Sequence, residues 1–140
     1  MTTSSAKRHT DLIAWQKAMD LVEEVYRITR GFPKEEICGL AAQVRRAAVS
    51  VPSNIAEGHS RFGSREFLHH LSIASGSLSE VETQVEIALR LGYIDKSEAE
   101  RCTVIARETG RIISGLMASL ERKGPKRLAS GLWPLASATK

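Results

Sequence analysis

Apolar residues recur at spacings of three and four in four long stretches of the chain, and glycine or proline falls in every gap between them. That period marks amphipathic helices, because 3.6 residues per turn brings such positions onto one face. The third stretch is the most regular, with Phe67, Leu71, Ala74, Leu78, Val81, Val85 and Ala88 in unbroken succession. The spacing predicts a helix of roughly seven turns with Ser64 as N-cap, Glu66 in the positive first turn and Gly92 as its stop. The fourth stretch opens on Asp95-Lys96-Ser97-Glu98, the spacing of a capping box. It repeats Cys102, Ile105, Thr109, Ile112, Leu116 and Leu120 before Gly124-Pro125 ends it.

The first stretch, about residues 11–30, carries two stripes: Leu12, Trp15, Met19, Val22 and Tyr26, and beside them Ala14, Ala18, Leu21, Val25 and Ile28. One bundle core needs only one of them. After Gly31-Phe32-Pro33 the second stretch turns Ile37, Leu40, Val44, Ala47, Val51 and Ile55 toward the core. Ala42, Val49 and Ala56 lie at heptad spacing on its other shoulder, with Arg45 beside them. The spare stripe and the small-residue shoulder predict an oligomer interface at Ala42, Arg45, Val49 and Ala56. No stretch alternates with period two over strand length, so the fold class is all-α. An antiparallel up-down four-helix bundle over 11–123 is expected, with a flexible arm at 1–10 and a loosely ordered tail at 124–140 in which Trp133 is the one anchor.

Pro52 interrupts the chemistry of the second helix but not its pattern. An interior proline removes a backbone donor and crowds the carbonyl four residues back, here Ala48, at a cost of ~3 kcal/mol. A bent but continuous helix is expected. Arg46, Ser50, Asn54 and Glu57 project onto one polar strip beside the bend, and Glu80 of the third helix is within reach of Arg46, so these five are expected to form a buried or interfacial network.

With 140 residues, 42% of them hydrophobic and 26% charged, the chain reads as one globular domain. Cys38 and Cys102 stand 64 positions apart with no CxxC pair, and no charged-then-apolar leader opens the sequence, which predicts a reducing cytoplasm. Its longest uncharged runs are too short and too polar for a membrane span. The net charge of +4 permits a polyanionic partner, and its distribution sharpens the point. In an up-down bundle residues 7–11, 57–66 and 121–127 share one end, which holds Lys7, Arg8, Arg61, Arg65, Arg122, Lys123, Lys126 and Arg127 against four acids. Residues 23–36 and 86–100 share the other, with five bases against eight acids. The basic end is the candidate site for RNA or DNA.

Catalytic and metal signals are thin. Glu66-x-x-His69 has the spacing of a di-iron bundle, but such a site needs two of these pairs and two further glutamates. It reads instead as an acid near a helix start and an outward histidine. Neighbouring His70 leans toward the core, where a hydrogen-bonded ring is the expectation. Neither cysteine sits in a nucleophile motif, and no GxSxG, Walker loop or HExxH occurs. No metal or cofactor is expected. The rival to a binding protein is a small enzyme with its active site at a subunit interface.

The stretch GLAAQVRRAAVSVPSNIAEG, Gly39 to Gly58, resembles the signature of the four-helix-bundle proteins encoded in intervening sequences of large-subunit (23S) ribosomal RNA genes. WQKAMDL from Trp15, GFPKEE from Gly31, EFLHHLSIASGSLSEVETQ from Glu66 and LRLGYI from Leu89 are similar to the family's further segments in the same order. His70 stands where the family usually has an aromatic, and Cys38 where tyrosine is frequent. The resemblance implies a homopentameric antiparallel bundle with no established enzymatic activity and no cofactor. It also implies kinship with the accessory protein of diversity-generating retroelements, a pentameric bundle that binds nucleic acid and a reverse transcriptase. Those are the partners the resemblance suggests for this chain.

Overall fold

A computed structural model describes residues 8–61 and 63–123. They form four helices, α1 (Ile13–Thr29), α2 (Leu40–Ser60), α3 (Ser64–Arg90) and α4 (Lys96–Lys123), with single 3-10 turns at His9–Asp11 and Lys34–Glu36. Among the described residues there is no strand. Lys7, the tail at 124–140 with Lys126 and Arg127, and Trp133 lie outside the described residues.

The helix ends follow local chemistry. The Asp95 carboxylate accepts the Glu98 N–H at 2.8 Å and the Glu98 carboxylate accepts the Asp95 N–H at 3.0 Å, completing the capping box that opens α4. Gly92 follows the end of α3 with φ of +79°, a conformation that favours glycine. The start of α3 differs by one residue from expectation: Gly63 is the N-cap and Ser64 the first helical residue. The chain reverses there within a few residues, and Gly63 supplies the positive φ, +96°, that the reversal needs. α1 begins at Ile13, later than expected, because Asp11 is held in the 3-10 turn, where its carboxylate accepts the Arg8 N–H at 3.3 Å.

Neighbouring helices pack in chain order around a square, and α4 closes on α1. The α1–α4 register is fixed by two ion pairs, Lys17 Nζ to Glu108 at 3.1 Å and Arg101 Nε to Glu24 at 3.3 Å, so seven residues down one helix meet seven up the other. Leu21, Val25, Ile28, Val44, Val51, Ile55, Leu71, Val81 and Ile113 are buried at the centre. Each such side chain contributes about 1.5–3 kcal/mol by leaving water. The core uses the Ala14–Ile28 stripe of α1, while Met19 and Tyr26 of the other stripe are more than a third exposed. α2 runs unbroken through Pro52, which is buried. Beyond the proline, Gly58 lets α2 and α3 close up: a Cβ there would stand 2.8 Å from the Cβ of His70.

Candidate nucleic-acid interface

Topology brings the described part of the basic end together. Arg8 precedes the 3-10 turn that leads into α1, Arg61 and Arg65 flank the α2–α3 reversal, and Arg122 and Lys123 close α4. Arg8, Arg61, Arg65 and Arg122 are exposed. Arg61 pairs with Glu57 at 2.6 Å, whereas among the described residues no carboxylate pairs with Arg65 or Arg122. One of these bases also serves the fold, since Arg122 lies in the last turn of α4, at the negative end of its dipole. α3 spans about 40 Å, several times the ~8 Å Debye length of physiological salt, so a ligand at this end does not feel the acidic one.

The polar strip on α2 forms a smaller network than its spacing implied. Asn54 Nδ2 donates to the Ser50 carbonyl at 2.9 Å and to Ser50 Oγ at 3.0 Å, and the Ser77 hydroxyl of α3 donates to Ser50 Oγ at 2.9 Å. Asn54 Oδ1 lies 3.1 Å from His70 Nδ1, which makes Nδ1 the protonated nitrogen of the ring. The two ends of the strip fall away from this network. Arg46 and Glu80 are both exposed and no ion pair joins them, so the expected bridge across the seam is absent. Glu57 is exposed as well and turns to Arg61. Its carboxyl is held below the ordinary range by the Arg61 hydrogen bond and then by the nearby His70 ring. The reason is geometric: the strip is wider than the α2–α3 seam, and only its middle faces α3.

Of the four residues expected at an oligomer interface, Val49 is 40% exposed, and Ala42 and Ala56 are half-buried on the outer shoulder of α2. Arg45 also has partners within the chain. Its Nε donates to Thr29 Oγ1 at 2.7 Å and its guanidinium lies 4.7 Å from the centre of the Tyr26 ring, so it ties α2 to α1 within the chain. Next to Ser77, which is buried against α2, Gly76 faces outward, with nothing among the described residues within 4 Å of a Cβ built there.

The acidic end contains a lock that the sequence did not disclose. Glu36 accepts the Leu40 N–H at 2.9 Å, capping α2, and accepts the Tyr93 hydroxyl at 2.8 Å. Both contacts hold its carboxyl below the usual range, and that bond raises Tyr93. Phe32 packs on the Tyr93 ring with centroids 5.4 Å apart. GFPKEE and LRLGYI are therefore two halves of one contact. Their shared end in an up-down bundle was the available signal.

Cys38 is exposed, while Cys102 is buried and its thiol is pushed up to about 12 by that burial. Among the described residues no three His, Cys, Asp or Glu side chains gather as a metal site would require, and no helix is long and apolar enough to cross a membrane.

Fold and register together define an antiparallel four-helix-bundle protein whose charge is divided between its ends. The chain belongs to the 23S rRNA-intervening sequence protein family, whose model matches residues 10–115. In three dimensions it is similar to the crystal structure of a protein of unknown function from the S23 ribosomal protein family of Bacteroides thetaiotaomicron. The TM-score is 0.68 at 18% identity, over 75% of this chain and 98% of that one. No curated protein matches the chain.

Proposed function

We propose that the protein is a non-enzymatic oligomeric scaffold, assembled as a pentameric ring, whose basic end holds the phosphate backbone of RNA or DNA. The observation that carries this reading is the meeting of Arg8, Arg61, Arg65, Arg122 and Lys123 at one end of the bundle. Cyclic assembly would gather five copies of that end on one face. Such a field holds phosphate without reading base sequence, and affinity falls steeply with salt as condensed counterions are released. Exposed Val49, one helical turn along α2 from the Arg45 that lies on Tyr26 of the half-exposed α1 stripe, is the centre of the proposed subunit contact.

The test is a titration against single- and double-stranded RNA and DNA at several salt concentrations. It is repeated with Arg122, Lys123, Lys126 and Arg127 changed together to Gln. Binding at low salt, with a salt slope that flattens in the quadruple variant, is expected. No binding at low salt, or a variant that keeps both affinity and slope, overturns the nucleic-acid reading.

A further inference from the structure

The register of α1 against α4 leaves one corner of the bundle short. With Lys17 opposite Glu108 and Glu24 opposite Arg101, the first residue of α1, Ile13, falls level with Ile112. α4 continues to Lys123, about 16 Å further, without α1 beside it. The turn at His9–Asp11 does not fill the gap, because it packs on α1 and α2. Burial records the consequence. The fully buried positions of α4 end at Ile113, the stripe residues Leu116 and Leu120 beyond it are only partly covered, and Ile13 at the rim is 62% exposed.

We infer that this groove is the docking site of the chain's own C-terminal segment, Leu128 to Leu135. Three observations select that occupant. α4 ends at the edge of the groove, so the segment starts beside its site. Gly124-Pro125 follows at once, a pair that ends a helix and favours reversal of the chain. The segment carries Leu128, Leu132, Trp133 and Leu135, whereas residues 2–7, Thr-Thr-Ser-Ser-Ala-Lys, contain no large apolar side chain. Length is sufficient: seven residues extended reach about 23 Å, and Ile112 to Leu120 is about 12 Å of helix. Trp133 is the main anchor, as the largest apolar surface in the segment.

The experiment uses the full chain labelled with 5-fluorotryptophan, whose two fluorine resonances are assigned by the loss of one in Trp133→Phe. The Trp133 resonance is expected away from the position of the free amino acid and shielded from a soluble paramagnetic quencher. Ile13→Glu and Leu120→Gln should each move it to the free position while the Trp15 resonance and the helical circular dichroism stay as they were. Ile13 is exposed, so its variant keeps the test alive should Leu120→Gln unfold. A wild-type Trp133 resonance at the free position overturns the inference, as does a displaced one that ignores both substitutions. A displaced resonance that returns to the free position on dilution, in step with dissociation of copies, assigns the segment to a neighbouring chain and overturns docking within the chain.

Discussion

Gly58→Ala sets two quantities of opposite sign against each other. Alanine is the better helix former by about 1 kcal/mol, and Gly58 sits in the last turns of α2, so propensity alone makes the substitution stabilising. Packing reverses this. The added Cβ would meet His70 Cβ at 2.8 Å, Phe67 Cδ1 at 3.0 Å and Phe67 Cα at 3.4 Å, where carbon contacts settle at about 3.5–4.0 Å. The Phe67 ring can rotate, but His70 Cβ moves only with α3, and α2 and α3 must separate by roughly half an ångström or more. Overpacking costs about 1–3 kcal/mol, and a contact relieved only by shifting a helix falls in the upper half of that range, about 2–3, which leaves a net loss of roughly 1–2 kcal/mol after the propensity gain. For a domain of this size that lowers Tm by about 3–10 °C. Calorimetry and urea unfolding at equal protein concentration read the change, with Gly76→Ala as the control. Gly76 has nothing within 4 Å of its built Cβ and should gain about 1 kcal/mol. If Gly58→Ala is as stable as the parent or more so, the close approach of α2 to α3 at this point is wrong.

Val49→Arg, which places a charge on the exposed shoulder of α2, is expected to dissociate the proposed ring into helical subunits; sedimentation velocity showing an unchanged assembly would exclude that face. With a thiol reagent Cys38 should react at once and Cys102 only as the bundle unfolds, because burial pushes its thiol up to about 12; any fast-reacting equivalent in Cys38→Ser, whose one thiol is Cys102, would contradict that burial. The carboxyl of Glu36 is held low by the Leu40 N–H and the Tyr93 hydroxyl, so the stability it contributes is complete above the ordinary carboxylate range and is lost as pH falls through its lowered folded value. Urea unfolding between pH 7 and pH 3 should therefore show a shallower acid loss in Glu36→Gln than in the parent, and equal slopes would show that the contact is unformed in solution.

Periodicity could find what one helix decides alone. The stripe of α3, the stop at Gly92 and the Asp95–Glu98 box depend on residues within a few turns, and each stands where spacing placed it. Contacts between helices were less legible. A polar strip can be projected from α2, but only the register against α3 selects Ser50 and Asn54 for Ser77 and His70 and leaves Arg46 and Glu57 in water. The partners of Arg45 were hidden for the same reason: Thr29 and Tyr26 lie on another helix, at a level that no local pattern encodes. The meeting of Arg8, Arg61, Arg65, Arg122 and Lys123 at one end was legible because an up-down topology fixes which ends meet, whatever the register.

Division of charge along the axis bears on how molecules meet one another. A basic end and an acidic end on the same rod attract when two copies lie in line, and the contact is heterologous, so each addition recreates the surface that the next one needs. Nothing in such a contact closes. Stacking of this kind is electrostatic and is screened beyond about 8 Å at physiological salt, so dilute buffer should promote columns and turbidity where salt keeps the particles apart. Low ionic strength, the condition that would strengthen the proposed phosphate binding, also brings the acidic end of one molecule to the basic end of another as a competitor for the same surface.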